Sequence, residues 1–420
     1  MSPPTPADHE RLVTLVLCDP SGRVLGQLPP FTCGPQFWPE VEDVVSVARS
    51  RLNVDVTILR LLTTENRYAG GAVSYLAQLA PGSPTSALAA VSTEAGAALD
   101  GDPAHRMWWA EPGALDDLTD WLDTALTGHG STRNGPLRQR RTWNLSCVLT
   151  TATTSGSVWF KAVPPFLADK GGVMARVARV DVHLTPVVLA HDPTRRAILM
   201  RHVPGEDQWG LADAGVIGEM LERRVGAQAA LVDDVGHLLA VGVADGRPDA
   251  ITAGVRSTLD APGTRASLSV GEVDALAAMA DALPRLLAEI EACGLPDTLC
   301  HGDLHPGNWR RAGRVLTLLD WGDSRIGNPA LDVRAFVERL TDPAQQEWAR
   351  SSWAQAWRRR VPGCEPERAL TLVAPVSELC AAVTYQRFLD HVEETERAYH
   401  RHDPVAYLRA ALALGGRERH

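Results

Sequence analysis

The spacing of apolar residues changes character along the chain, and the changes mark out three regions. Near the N-terminus, Leu12-Val-Thr-Leu-Val-Leu17 has strand composition, and Asp19-Pro-Ser-Gly22 is a turn that starts a hairpin toward Val24-Leu25. Val41, Val44, Val45, Ala48 and Leu52 then recur at spacings of three and four, which predicts one apolar helix face. Val54 to Leu59 alternates, and Val73 to Leu79 is a further strand candidate. Residues 1–110 therefore read as a small α+β unit. Its stretch from Ala80 to Gly101 has weak periodicity and suits one short helix or a loop. Arg106 to Gly113 is a junction, and Leu115, Leu118, Trp121, Leu122 and Leu126 mark an amphipathic helix closed by Gly128-His-Gly130.

Residues 111–205 continue with strands at Leu137–Trp143, Ser146–Thr153 and Val158–Val163. A helix candidate spans Leu167 to Val180, and strands at Pro186–Ala190 and Ala197–Met200 follow. From 206 to 420 the pattern is helical. Val273, Leu276, Ala280, Leu283, Leu287 and Ile290 form one clean face, and helices are predicted over 212–230, 231–241, 329–340, 344–361, 368–392 and 405–414. The fold class is α+β, a strand-rich lobe before a helical one.

A length of 420 residues suits two or three domains, and 45% hydrophobic with 22% charged residues is ordinary for a globular protein with real cores. The formal charge of −10 argues against a protein that coats nucleic acid, while leaving room for a polyphosphate held by local lysines and Mg²⁺. Seven cysteines, an odd number without a Cys-x-x-Cys pair, fit a reducing cytoplasm and give no zinc pattern. Met1 to Glu10 is polar and lacks the apolar core of a signal peptide, and no run reaches 18 apolar residues, so neither secretion nor a membrane span is expected.

The chemistry concentrates in Cys300-His-Gly-Asp303-Leu-His-Pro-Gly-Asn308-Trp309 and Val315-Leu-Thr-Leu-Leu-Asp320-Trp-Gly-Asp323. An Asp, four residues, an Asn, then a second Asp at the end of a β-prone run is the arrangement phosphoryl transfer requires: a base and two metal ligands around one point. Asp303 would take the acceptor's proton, and Asn308 and Asp320 would hold Mg²⁺. Lys161 lies inside an apolar strand, where a lysine is costly without an anionic partner, and would contact the nucleotide's phosphates. Asn144 and Ser146, in the turn one hairpin earlier, would cover those phosphates, by backbone amides or side chains. His202 and Val203, where the strand 197–200 exits, read as an interdomain turn, which in a kinase-like architecture would also be the hinge to the purine. His301 is expected to tie the loop backbone, His305 to face solvent, and Asp332 to brace the loop.

His-Gly-Asp-Leu-His-Pro-Gly-Asn, Leu-Asp-Trp-Gly-Asp and Gly327-Asn-Pro-Ala-Leu-Asp332 resemble the motifs of the aminoglycoside phosphotransferase and choline kinase-like family, over about 115–420. The resemblance implies a bilobal protein-kinase-like fold and transfer of the γ-phosphate of ATP or GTP to a hydroxyl of a small molecule. Lys161, Asp303, Asn308 and Asp320 fall on the family's lysine, base and metal ligands. The family's pocket implies acceptor contacts from the C-terminal helices, here Tyr385, Gln386, Asp390, Glu393 and Glu394; Asp323 is expected to cap Ser324-Arg325, with reach to the substrate as the alternative. One departure stands out. The family pairs its strand lysine with a helix Glu, and this chain has Asp169-Lys170-Gly171-Gly172 there, with no Glu between Lys161 and Glu206. Either Asp169 reaches Lys161 or the pair is missing.

The N-terminal unit resembles a Nudix domain: Gly34 and Glu40 match the first spacing of its box, but Ala48-Arg49 and Leu52-Asn53 replace the metal-binding acids. It reads as non-catalytic, serving for packing, for capping the cleft or for homodimerisation. The acceptor expected is an antibiotic or similar hydroxylated natural product, of aminoglycoside or nucleoside type, whose phosphorylation gives resistance. A metabolic sugar or amino-sugar kinase is the alternative in the same class, and a nucleotide-binding pseudokinase module the alternative from another.

Overall fold

A computed structural model describes residues 10–34, 37–83 and 88–415. Met1 to His9, and with them most of the stretch weighed above as a leader, lie outside the described residues. The N-terminal unit is one mixed sheet built from β1 (Arg11–Cys18), β2 (Val24–Gln27), β3 (Phe31–Cys33), β4 (Val56–Thr64) and β5 (Gly71–Leu79), with α1 (Glu42–Leu52) against it. Its order is β2-β1-β5-β4, and β1 and β5 run parallel. The apolar positions counted in the sequence close its core: Val13, Leu15 and Leu17 of β1 meet Val41, Val44 and Ala48 around α1. The short helix foreseen in the weakly periodic stretch is α2 (Thr93–Leu99), capped by Ser92.

The strand-rich lobe is an antiparallel sheet of β6 (Arg138–Trp143), β7 (Ser146–Thr153), β8 (Gly156–Ala162), β9 (Val188–Asp192) and β10 (Ala197–Arg201), in the order β6-β7-β8-β10-β9. Strand alternation divides its side chains. Cys147, Leu149, Val158, Phe160, Ala162, Ala197 and Leu199 pack on α3 (Ala114–Gly128) through Leu118, Leu122 and Leu126. Trp159 and Lys161 occupy the opposite face. α4 (Lys170–Val180) drops from this lobe onto the helical one, where Val173, Met174 and Val177 join the main core.

The helical lobe follows the predicted segments closely, with helices at Ala214–Ala230, Val270–Glu291, Ala330–Glu338, Pro343–Arg360, Pro366–His391 and Asp403–Gly415. The sequence pattern offered nothing for Pro248–Asp260, a helix whose buried positions are only Ile251, Val255 and Thr258. Pro366–His391 has the length and mean hydropathy of a membrane span, and its buried positions, among them Val373, Val376, Leu379 and Ala382, lie in the main core.

The first unit covers the open edge of the kinase-like sheet. Gln139 on β6 donates to Ile58 O (2.6 Å) and accepts from Ile58 N (2.9 Å), Thr142 N donates to Pro39 O (3.0 Å), and Val41 N donates to Arg140 O (3.1 Å). An edge strand so satisfied offers no template for pairing with another chain. Glu40, the acid at the Nudix-like position, accepts from Arg141 Nε (2.8 Å), and Glu42 pairs with Arg140, so these carboxylates serve docking. On the far side Arg67 donates to Tyr399 O (2.5 Å) and pairs with Asp403, fastening the unit to the C-terminal segment.

Candidate active site

Thr298–Cys300 leads into the loop of Asp303, and the antiparallel strands Trp309–Ala312 and Val315–Leu318 return the chain to Asp320. Three features hold this hairpin rigid. Asp332, buried in the first turn of its helix, accepts from His301 N (2.8 Å) and Gly302 N (3.1 Å) and pairs with buried Arg224 (2.8 Å). His301 is buried, which lowers its pKa and keeps the ring neutral: Nε2–H donates to Leu319 O (2.8 Å), and Nδ1 accepts from Asp303 N (3.3 Å). Gly302 has φ +87°, and a Cβ there would lie 2.0 Å from Asp323 O, so only glycine lets the two segments touch backbone to backbone. The scaffolding roles expected of His301 and Asp332 match this geometry.

Asp303 stands at the mouth of the cleft, its side chain 43% exposed. Desolvation by the cleft walls works to raise its pKa, but His305, with Nε2 at 3.5 Å from Oδ2, and Arg339, at 4.0 Å from Oδ1, hold it below the usual value. His305 therefore turns toward Asp303 and not to solvent, its ring wedged edge-on against Trp209. Asn308 Nδ2 donates to Asp303 O (2.9 Å) and Oδ2 (3.3 Å), which points its amide oxygen away from Asp303.

Asp320 adopts a left-handed conformation (φ +64°), tolerated by a short polar side chain at about 1 kcal/mol. Lys161 Nζ from the upper lobe meets Oδ2 at 2.7 Å, and Lys170 Nζ pairs with Oδ1. Burial would raise the Asp320 carboxyl, yet the two ammoniums hold it far below the ordinary range; burial pulls Lys170 down, opposed by Asp320. Asp323, facing Asp303 and Asp320, is pushed up by burial first and then by those two charges.

Several expected contacts are corrected. Asp169 does not reach Lys161: it bonds His191 Nε2 (2.7 Å), and Lys161 pairs with Asp320. Asn144 is buried and committed elsewhere, accepting from Glu393 N (2.5 Å) and donating through Nδ2 to Glu393 and through its backbone N to Glu396 (2.6 Å). Ser146 Oγ accepts from Trp143 Nε1 (2.9 Å), and Leu145 packs with Phe388 and Val392, so the turn is pinned to the helical lobe instead of lying open over phosphates. His202 N donates to Ser157 O (3.0 Å), prolonging the β8 ladder, and its ring accepts from Trp159 Nε1 (3.0 Å); Val203 follows on the connection between lobes. Of the acceptor candidates only Tyr385, stacked on Tyr407, and Asp323 come near Asp303. Gln386 donates to Asp390 (2.8 Å) and accepts from Thr264 (2.8 Å), Glu394 is exposed, and Glu393 serves Asn144. Sequence reasoning missed Lys170, His305, Arg339, and Arg387, which donates to Phe166 O within electrostatic reach of Asp323. The missing Glu marked the place where Lys170 sits.

Glu396 carries a prediction. It is buried beside Glu393, and one oxygen has no hydrogen-bond partner among the described residues. Burial raises its pKa well above the ordinary value, so folding disfavours its ionised form. Stability is then greatest below the unfolded carboxyl pKa and declines as pH rises toward the raised one. Glu396→Gln should raise Tm at pH 8 and leave it unchanged at pH 4 in parallel melts; equal effects at both values would refute this.

A strand-rich lobe over a helical one, with a lysine from the first meeting an Asp/Asn/Asp hairpin of the second, defines a kinase-like phosphotransferase. Residues 138–362, more than half of the chain, match the phosphotransferase enzyme family, and the chain belongs to it. No curated protein matches. Among solved structures, a choline kinase from Cryptosporidium parvum Iowa II is 11% identical, with 72% of this chain and 97% of that one covered and a TM-score of 0.50. Macrolide 2'-phosphotransferase MphH from Brachybacterium faecium is 20% identical, covering 68% and 97% at 0.48. A choline/ethanolamine kinase family protein from Mesorhizobium loti is 16% identical, covering 71% and 98% at 0.47. At 11% identity and a TM-score of 0.50, the likeness to the Cryptosporidium choline kinase speaks for the fold and nothing finer. The family match starts at residue 138, so the N-terminal unit stands outside it, and its Nudix likeness rests on Gly34 and Glu40 alone.

Proposed function

We propose that this protein transfers the γ-phosphate of ATP or GTP to a hydroxyl of a small hydroxylated molecule, an antibiotic or related natural product being the acceptor we favour. The observation that carries the reading is the meeting of both lobes at Asp320, with Lys161 Nζ 2.7 Å from its carboxylate, beside Asp303 on the same hairpin. In the reaction the acceptor hydroxyl oxygen forms a bond to the γ-phosphorus as the bond to the bridging oxygen breaks. The hydroxyl proton passes to Asp303, whose depressed pKa keeps it ionised and ready. Asn308 orients Asp303, and Lys161 meets the phosphates from above. Trp159, two residues before Lys161 on the same strand face, offers a purine a flat apolar surface beside His202.

The donor set suits a hard cation. The Asn308 amide oxygen and the Asp320 carboxylate would hold Mg²⁺, which when bound neutralises phosphate charge; Asp320 would have to release an ammonium to take part. All seven cysteines are free and buried, which supports the cytoplasm as its compartment. The test is a transfer screen with ATP and GTP against aminoglycosides, macrolides, nucleoside antibiotics, sugars and amino sugars, read by mass of the product. A phosphorylated antibiotic is expected. Sugars alone as acceptors would move the protein to metabolism, and nucleotide-dependent stabilisation with no transfer to any acceptor would make it a binding module.

A further inference from the structure

Lys170 stands at the first turn of α4, where the related pattern has an acid to pair with the strand lysine, and the surrounding backbone is built to admit it. A Cβ on Gly322 would lie 2.5 Å from Lys170 Cε, so a larger residue there would push the end of the lysine aside. Ala168 N donates to Gly322 O (3.0 Å), tying the approach of α4 to the segment after Asp320. A Cβ on Gly171 would lie 2.2 Å from the His191 ring, and Asp169 bonds that same ring, which fixes where the helix begins. The result is a lysine with only 4% of its side chain exposed, directed at Asp320 Oδ1, while Lys161 holds Oδ2.

The charge balance at this point is the reverse of the usual one. A strand lysine, a helix Glu and the metal-binding Asp carry one net negative charge, and a polyphosphate can approach them only with its cations. Here two lysines face one carboxylate: with both protonated one net positive charge results, while burial and the Lys161 charge pull Lys170 down to about 7 and so favour an anion that would hold its proton in place. Of the neighbouring carboxylates, Asp303 turns to His305 and Arg339, and Asp323 is pushed up to about 6 by burial and by the Asp303 and Asp320 charges, which weakens its hold on the two lysines.

We propose that Lys170 is a second phosphate-holding cation of the nucleotide site, built into the protein where a metal ion would otherwise supply the charge, so that nucleotide binds without divalent metal. This rests on the phosphotransferase reading given above and adds to it a nucleotide-binding residue and a relaxed metal requirement for binding. Lys161 and Lys170 share Asp320 in the free protein, and on nucleotide binding their remaining donors turn to the phosphate oxygens, each ammonium having three.

The experiment is calorimetric titration of the full-length protein with ATP and ADP, in EDTA and in Mg²⁺, for wild type, Lys170→Met and Gly322→Ala. For wild type the two conditions should give Kd values within about tenfold of each other. Both variants should weaken metal-free binding by about tenfold or more, the scale of one lost charged hydrogen bond, and affect Mg²⁺-supported binding less. Gly322→Ala reports on the same lysine without removing its charge. Wild type that binds with Mg²⁺ but not in EDTA overturns the proposal, whatever the variants do, and so do variants that bind metal-free nucleotide as tightly as wild type. Wild type that binds nucleotide in neither condition overturns the phosphotransferase reading itself.

Discussion

Asp303→Asn is expected to lower the single-turnover rate of phosphate transfer by about 10²–10⁴-fold while leaving nucleotide affinity unchanged. The substitution keeps the size of the side chain and a partner for Asn308, and it removes only the capacity to accept a proton. Because Asp303 lies beside His305 and Arg339, while Lys161 and Lys170, the lysines proposed to hold the nucleotide, meet Asp320, the two readouts separate. Transfer at the wild-type rate would end the assignment of Asp303 as base. Loss of nucleotide binding in parallel would show that the residue holds the site together instead of performing chemistry in it. In wild type, the depressed pKa of Asp303 predicts that the rate holds from neutral pH down to the acid range and falls only below the ordinary carboxylate value.

Asp332→Ala is expected to cost about 3–5 kcal/mol, the usual result of removing one partner of a buried pair. The loss leaves the Arg224 guanidinium, which is 1% exposed and lies over the Trp321 ring, without its counter-charge. It also strips His301 N and Gly302 N of their acceptor at the base of the Asp303 loop. In a thermal melt this corresponds to a fall in Tm on the order of 10 °C. Asp332 would be raised by burial, but Arg224 and the backbone N–H groups of His301 and Gly302 depress it. Its contribution is therefore complete above the unfolded carboxyl pKa of about 3.9 and is lost as pH falls through the lower folded value. The difference between wild type and variant should accordingly be flat from pH 8 to 5 and shrink in stronger acid. A double variant, Arg224→Met with Asp332→Ala, should recover part of the loss because no charge is left buried alone. An Asp332→Ala protein melting within a degree of wild type would refute the brace.

The helical lobe was legible because its apolar residues recur at helical spacing, and the catalytic hairpin because Asp303, Asn308 and Asp320 lie on one short loop-and-strand unit. Pro248–Asp260 was not legible: Ala, Gly and Thr dominate it, and three buried side chains are too few to show a period. Asn144 and Ser146 were placed by their position between two strands, which fixes a turn but not what lies over it. The turn is covered by Glu393 and Glu396, some 250 residues away in sequence. His305 was read as solvent-facing from its polar loop, and the packing of Trp209 on its ring turns it toward Asp303.

By itself the sequence determined the two-lobed architecture, the loop that carries Asp303 and Asn308, the strand that carries Lys161, and an anomaly in the helix after it. All of these are properties of short stretches, where backbone periodicity or fixed spacing within one hairpin sets the geometry. Only the tertiary structure decided how the anomaly is resolved. Whether Asp169 or another group meets Lys161 depends on where α4 begins and which face it turns. That is set by His191 against Gly171 and by Gly322 beneath the Lys170 stem, contacts between elements that no local pattern encodes. The stretch that reads as a helix missing its acid folds into two lysines closed on Asp320, because burial leaves a lysine there no partner but the nearest carboxylate.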